Sequence, residues 1–136
     1  MSIQPYLFFN GRCDEAIAHY AEALGAKTAM LMRYKDSPEP APPGTLPPGF
    51  ADKVMHASLD IGGATLMLSD GNSADGPQFN GFAVSLAVAD EADARRKFDA
   101  LAVDGQVVMP MAKTFWSPCF GMLNDRFGLG WMIMAA

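Results

Sequence analysis

The sequence has few of the residues on which several classes of protein depend. Its 136 residues include only two cysteines, Cys13 and Cys119, and they form no CxxC pair. A disulfide framework or a thiolate zinc site is therefore not expected. Basic residues are outnumbered, with 10 Lys and Arg against 15 Asp and Glu. The resulting net charge of −5 argues against a nucleic-acid partner, because binding to phosphates needs excess positive charge.

Long apolar runs and targeting segments are also lacking. No apolar stretch approaches the length that spans a bilayer, so no membrane partner is expected. The first five residues lead directly into an apolar strand and do not resemble a signal peptide. Together with the low cysteine count, this predicts a cytoplasmic protein. The composition, 50% hydrophobic and 18% charged, is that of one folded domain over residues 1–136.

What the sequence does contain is one pattern that occurs twice. An apolar strand, an amphipathic helix and a closing glycine occupy residues 6–25 and again residues 82–105. Each half then ends on a similar apolar strand, at residues 64–69 and 130–135. A proline-rich segment at residues 37–49 accounts for the greater length of the first half. The repeat predicts two βαβββ modules, about 1–71 and 80–136, in one domain, since a lone half could not bury its sheet face.

The periodicity of apolar residues predicts ten elements. Helices are expected at residues 13–24 and 91–102, and Gly62-Gly63 is typical of a tight hairpin turn. The proline-rich loop should be extended and lie at the surface. Strands are predicted at residues 3–9, 27–34, 53–61, 64–69, 82–88, 106–112, 119–124 and 130–135.

Several motifs resemble those of one known family. They are residues 5–20 with the segment Leu24-Gly25-Ala26, then Val54-Met55-His56-Ala57, residues 66–70, Thr114-Phe115-Trp116, residues 125–128 and Trp131-Met132-Ile133. They resemble the vicinal oxygen chelate superfamily, which includes glyoxalase I, bleomycin-resistance proteins and extradiol dioxygenases, and within it the PhnB-like group. The resemblance covers essentially the whole chain. It implies an α+β fold in which both modules form one curved, cup-shaped mixed sheet, with the helices on its convex face.

The resemblance also implies where a metal site should lie. Metal-dependent members place His, Gln or Glu on four strands facing the cup. Carried over to this sequence, these positions are Pro5, Met67, Ala83 and Met132. None of the four side chains has a nitrogen or oxygen donor, which a divalent ion requires. The expectation is therefore no metal and no cofactor. Some relatives carry a demethylubiquinone methyltransferase name, but the glycine-rich loop typical of nucleotide-like methyl donors is absent from the sequence.

Strand alternation then predicts the lining of the cup. With Met67 and Met132 facing the cup, the same face carries Leu7, Thr65, Ser69, Ser85 and Met134. The opposite face carries the bulkier set of Leu66, Leu68, Phe82, Val84, Leu86, Val88, Trp131 and Ile133, as expected beneath helices. Small, hydroxyl and thioether side chains leave room for an apolar or aromatic ligand, so Met67, Ser69, Ser85 and Met132 are candidate ligand contacts. The alternative is that the methionines fill the cup as core.

His56 is the candidate catalytic residue. It shares the polar face of its predicted strand with Ser58 and Asp60. Imidazole titrates near neutrality, which suits a general base or a hydrogen bond to a ligand. The alternative is a strand histidine satisfied by a neighbour. The other histidine, His19, is expected at the surface of the first helix.

Phe115 and Trp116 form a second candidate cluster. They lie between two strands of the second module, where aromatic rings could stack on a planar ligand at the rim of the cup. The alternatives are a cap over the core or a subunit interface.

Three functions remain open from the sequence. The first is a metal-free module that binds a small apolar or aromatic molecule, as bleomycin-resistance proteins do. The second is an enzyme of the same superfamily, using an unconventional metal site or acid/base chemistry at His56. The third is a structural or regulatory homodimer. A homodimer is expected in any case, because the Met-rich strand at residues 29–32 has no polar face.

Overall fold

The computed structural model describes residues 1–136 and divides them into two compact units, Met1–Pro77 and Gln78–Ala136. The first unit contains β1 (Tyr6–Phe8), α1 (Cys13–Leu24), β2 (Lys27–Arg33), β3 (Val54–Ile61) and β4 (Ala64–Ser69). The second contains β5 (Val84–Val88), α2 (Glu91–Ala102), β6 (Gln106–Ala112), β7 (Cys119–Asn124) and β8 (Gly130–Ala135). Each unit thus has the order βαβββ, and the predicted α+β class with two such modules is confirmed.

Each unit contains one mixed sheet of four strands. The strand order is β1-β4-β3-β2 in the first unit and β5-β8-β7-β6 in the second. The first strand of each unit pairs in parallel with the last, and the other pairings are antiparallel. The same topology in both units confirms the repeat that the sequence predicts. The single cup formed from both modules, and the single domain, stay predictions.

A carboxylate stabilises the start of helix α1, and a glycine follows its end. Its first backbone N–H, that of Cys13, donates to the Asp70 carboxylate at 2.8 Å. At the other end Gly25 adopts a left-handed conformation with φ of 68°, and its N–H bonds to the carbonyl oxygen of Ala21. The buried face includes Ala16 and Tyr20. It also includes His19, which is only 6% exposed, so the expected surface position of His19 is wrong.

Helix α2 packs closely on its sheet. Asp90 caps its first turn by accepting a hydrogen bond from the backbone N–H of Asp93 at 2.7 Å. Ala94, Phe98 and Leu101 form the buried face. A Cβ atom added to Gly121 of β7 would lie 2.8 Å from the Phe98 ring. The missing side chain at Gly121 therefore lets α2 approach the strand.

The alternation predicted for the inner strands is observed. Leu66 and Leu68 of β4 are buried, whereas Met67 between them is partly exposed. In β8, Trp131 and Ile133 are buried, whereas Met132 is partly exposed. In each sheet, apolar side chains that face a helix therefore alternate with side chains on the opposite, open face.

The first strand of each unit departs from the prediction. Tyr6 pairs with Met67 and Leu7 with Leu68, so Leu7 lies on the buried face and not on the open one. Tyr6 and Phe8 take the open positions, and Pro5 precedes the strand. The apolar run at residues 6–9 gives no alternation from which this register could be predicted. Phe82 also precedes its strand and is half exposed, so its predicted place on the buried face is wrong.

The proline-rich segment runs between β2 and β3. It is flanked by two short 3₁₀ helices, Tyr34–Asp36 and Phe50–Asp52, and most of its residues are exposed. Neither α-helix is long and apolar enough to cross a membrane. Strand β2 lies at the edge of its sheet and exposes Met30 and Leu31. The homodimer that this strand suggests stays a prediction.

Candidate ligand-binding site

The open face of the first sheet carries aromatic, thioether and polar side chains together. Tyr6 pairs with Met67, which pairs in turn with Ser58 of β3. His56 lies on the same face as Ser58, as strand alternation predicts, and both are partly exposed. Phe8, two residues after Tyr6 on the same face of β1, is 51% exposed. This face therefore offers apolar rings and a thioether beside hydrogen-bonding groups.

His56 is held by contacts with Tyr6. The Tyr6 hydroxyl lies 2.9 Å from Nδ1 of His56, and which atom donates depends on the imidazole tautomer. The two rings are stacked, with centroids 5.5 Å apart and an interplanar angle of 30°. The Ser58 hydroxyl approaches the other ring nitrogen at 3.5 Å. A phenol bonded to an imidazole can pass a proton to or from a ligand, which is the chemistry predicted for His56.

Ser69 links this pair to a second tyrosine. Ser69 is buried at the end of β4, beside both tyrosines. Burial raises the pKa of Tyr6 and of Tyr34 above the ordinary value, and the Ser69 hydroxyl, which favours the ionised form of each phenol, offsets this rise only in part. The folded protein therefore favours the neutral form of both phenols.

A depression of about 650 Å³ lies beside this cluster. It forms where β1 and β4 end, next to the first 3₁₀ helix. Its lining combines apolar and polar groups and contains no ionisable acid or base apart from Tyr34: Phe8, Asn10, Tyr34, Ser69, Gly71, Asn72 and Ser73. The structure thus places Ser69 at the meeting point of the open face and the depression.

The raised tyrosine pKa values predict how stability changes at alkaline pH. The neutral phenol is favoured in the folded state, so its contribution is complete below the ordinary tyrosine pKa of about 10. It is lost as the pH rises from that value through the raised value of the folded state. We expect Tyr6→Phe to lose less stability than the unmodified protein between about pH 9 and pH 11. Guanidinium unfolding at both pH values measures this, and equal losses in the two proteins would contradict it.

The open face of the second sheet is rich in sulfur. Met132 pairs with Met122 on one side and with Ser85 on the other, and Met122 pairs with Met109. Ser85 is exposed and Met132 is partly exposed. Both therefore lie where strand alternation predicts, on the face away from α2. These side chains form an adaptable apolar surface with one hydroxyl group.

The predicted aromatic cluster lies on this same unit. The Trp116 ring packs edge-on against Phe120 of β7, with centroids 5.3 Å apart. Phe115 packs edge-on against Trp116 at 4.7 Å and is 96% exposed. The depression around them is lined by residues 113–118. Trp116 thus covers part of the unit's own sheet, whereas Phe115 remains open to contact another molecule.

Two buried aspartates near these surfaces have structural roles. Asp70 accepts hydrogen bonds from the backbone N–H groups of Gly11, Cys13 and Val54 at 2.8 to 2.9 Å. Asp125 accepts from the backbone N–H groups of Phe127 and Leu129. The structure therefore assigns both carboxylates to loop and helix termini and not to a reaction.

A family model described as "Glyoxalase/Bleomycin resistance protein/Dioxygenase superfamily" matches residues 2–133. The chain belongs to this superfamily.

Similar proteins of known sequence or structure show to which group of the superfamily the chain belongs. Protein YjdN of Escherichia coli (strain K12) is 35% identical over 140 residues, which cover 98% of this chain and 94% of YjdN. Protein PA1353 from Pseudomonas aeruginosa is 43% identical with a TM-score of 0.85, over 99% of this chain and 97% of that one. The PhnB protein from Bacillus cereus is 25% identical with a TM-score of 0.80 over 100% of both chains. The predicted PhnB-like group is confirmed.

The residues present do not fit the divalent metal site of metal-dependent superfamily members. Met67 and Met132 occupy open-face positions, and neither Pro5 nor Ala83 adds a donor atom. Tyr6, the β1 residue that pairs with Met67, bonds to His56 instead. No group of three or more His, Cys, Asp or Glu side chains is arranged to hold a metal ion.

Sequence reasoning missed two residues of the site, Tyr6 and Tyr34. The assignment of Leu7 to the open face excluded Tyr6, and a lone tyrosine directly after β2 gives no signal by itself. The alternation of β3 places His56 on the polar face of that strand. It could have identified Tyr6 as a neighbour of His56 only if the pairing of β1 with β4 had been known. Tyr34 reaches Gly71 across 37 residues of chain, where its hydroxyl donates to the Gly71 carbonyl oxygen.

Proposed function

We propose that this superfamily member binds a small apolar or aromatic molecule on the open face of its first sheet, without a metal ion. The observation that carries the proposal is the exposed Tyr6 and Phe8 beside the hydrogen-bonded His56. Exposed aromatic rings next to a polar cluster are typical of ligand sites, because the rings bind a flat molecule and the polar groups orient it.

Exposed side chains of the second unit support the same proposal. Met132 and Ser85 lie on its open face, and Phe115 is almost fully exposed. We propose that the ligand contacts Met67 and Ser69 in the first unit and Ser85, Met132, Phe115 and Trp116 in the second. Isolated exposed apolar residues are common in proteins, but here Met132 lies on the face of the sheet away from α2, and Phe115 and Trp116 pack together in the loop between β6 and β7.

A second candidate function is an acid/base enzyme centred on His56. The hydrogen bond between the Tyr6 hydroxyl and Nδ1 of His56 favours it, because the pair could accept a proton from a bound molecule and return it. This candidate predicts turnover of a ligand, whereas the binding function predicts only its capture.

The binding proposal predicts a loss of affinity when the open face is changed. Aromatic contacts and single hydrogen bonds contribute about 1 kcal/mol each, so Phe8→Ala and His56→Ala should each weaken binding about fivefold. Demetallated protein would be titrated with indole and with 2-naphthol, and binding followed by two-dimensional NMR and by the thermal midpoint, which a ligand raises by mass action. Quenching of the half-exposed Trp116 would report contact with the second unit.

The matched control is Val103→Ala, an exposed apolar residue that follows α2 and lies outside both open faces. The Val103→Ala variant should bind the two probes with the same affinity as the unmodified protein. If His56→Ala loses stability in proportion to its loss of affinity, His56 is structural. Binding that appears only after zinc, nickel, manganese or iron is added would replace this proposal with a metal-dependent enzyme.

A further inference from the structure

The depression beside the open face lacks charge. Its side-chain polar groups are the hydroxyls of Tyr34, Ser69 and Ser73 and the amides of Asn10 and Asn72. Phe8 forms an apolar wall. No Lys, Arg, Asp or Glu lines it. A ligand group that enters the depression therefore meets neutral dipoles only.

Three of these polar groups already form hydrogen bonds within the protein. The Tyr34 hydroxyl donates to the carbonyl oxygen of Gly71. The Asn10 side-chain N–H donates to the carbonyl oxygen of Gly76 at 3.0 Å, and the Ser69 oxygen accepts from the Gly71 N–H at 2.9 Å. Each hydroxyl oxygen keeps a lone pair, and the Asn10 amide keeps its oxygen. Such a lining can accept a hydrogen bond from a ligand as well as donate one.

The cations on neighbouring elements lie outside the lining of the depression, and most of them form ion pairs. Burial raises the pKa of Tyr6 and Tyr34, and the Asp70 carboxylate adds to the rise for Tyr34. His56 bonds to Tyr6. The cations on neighbouring elements are engaged in Arg12–Glu15, Arg33–Asp14 and Lys35–Asp52 ion pairs and in the bond from Lys53 Nζ to the Gly11 carbonyl oxygen.

We infer that the depression binds an uncharged hydroxyl group of a planar aromatic ligand and discriminates against its ionised form. The ligand class is thus a neutral phenol, whose hydroxyl can donate to the lone pairs of the lining while its ring lies against Phe8. A phenolate has no proton to donate, and it would lose hydration without meeting a cation in the lining. This inference rests on the proposed function, because it names the ligand class of the same site. Tyr34 lines the depression, and burial raises its pKa, as expected where a phenolate is disfavoured.

The test uses 4-nitrophenol, which ionises near neutral pH to a yellow anion. Protein is titrated into the probe on both sides of its ionisation, and absorbance gives the fraction ionised when bound. We expect the neutral form to bind at least about tenfold more tightly than the anion, so the yellow colour fades on binding. The non-ionisable 4-nitrobenzyl alcohol serves as a control for titration of the protein itself, and its affinity should not change over the same range.

Two lysine substitutions test whether the preference for the neutral form arises in the depression. Asn72→Lys adds a cation at the exposed rim of the depression and should reverse the preference towards the anion. Ala64→Lys adds the same charge at the exposed other end of β4, five residues before Ser69 and so about 17 Å away. That distance exceeds the Debye length of about 8 Å, so Ala64→Lys should keep the preference for the neutral form.

The outcomes separate this inference from the proposed function. If the backbone amides of Phe8 and Ser69 shift on binding but the anion binds as tightly as the neutral form, the inference is overturned and the proposed function stands. An equal effect of the two lysines would also overturn the inference, because the selection would not arise in the depression. If neither probe shifts those amides, both are overturned.

Discussion

Replacing Asp70 with alanine should lower the free energy of unfolding by about 4 kcal/mol. Asp70 is fully buried, and its carboxylate accepts three backbone N–H groups, from Gly11, Cys13 and Val54. These bonds hold together the turn after β1, the start of α1 and the start of β3. Alanine would leave three buried donors unsatisfied at once, which costs far more than the loss of one exposed hydrogen bond.

A conservative variant separates the carboxylate charge from its shape. Asp70→Asn keeps one acceptor oxygen but points an N–H₂ group at a backbone donor, so we expect a smaller loss of about 2 kcal/mol. Asp75→Ala is the control, because Asp75 is exposed on the following loop, and its effect should stay within about 0.5 kcal/mol. Urea unfolding measures all three. A loss below about 1 kcal/mol for Asp70→Ala would show that the capping role is wrong.

Trp131→Ala should have a comparable effect, about 4 kcal/mol, for a different reason. The Trp131 ring is 1% exposed in the core between β8 and α2. Removing it leaves a large cavity in packed surroundings, and it also removes the hydrogen bond from the indole Nε1 to Asp125 at 2.9 Å. The substitution therefore combines a loss of packing with a loss of one partner of a buried carboxylate.

The chain offers its own control for this substitution. Trp116 is 55% exposed, so Trp116→Ala should cost less than about 1 kcal/mol in the same unfolding experiment. Trp131→Phe fills most of the cavity but cannot bond to Asp125, and its effect should lie between the two. If Trp131→Phe matches Trp131→Ala, the hydrogen bond and not the ring volume dominates at this position.

Much of the fold could be predicted from the sequence because its signals are local. The bounds of both helices and of the last two strands match the prediction, since each has a clear apolar period and a capping residue or turn. The Gly62-Gly63 hairpin has positive φ at both glycines, as its sequence predicts. The open-face position of His56 also follows from a local pattern, the alternation of polar and apolar residues along β3.

The candidate site could be predicted only in part. The structure places Met67, Ser69, Ser85 and Met132 on the face that alternation gives them, and their role in ligand binding remains a proposal. Leu7 was assigned to the wrong face, because a strand that is apolar on both faces has no internal signal of register. His19 is buried although helical position alone suggested the surface. Such errors arise where a residue's environment is set by distant parts of the chain.

The sequence by itself determined the repeat, the order of elements and the faces of the inner strands, because these depend on the spacing of apolar residues within each segment. Only the tertiary structure decided that Tyr6 bonds to His56, that Tyr34 reaches Gly71 and that Asp70 caps α1. These contacts join residues 37 to 57 positions apart, and no local period encodes which segments will meet. Strand pairing fixes the register, and the register brings the hydroxyls and the imidazole together.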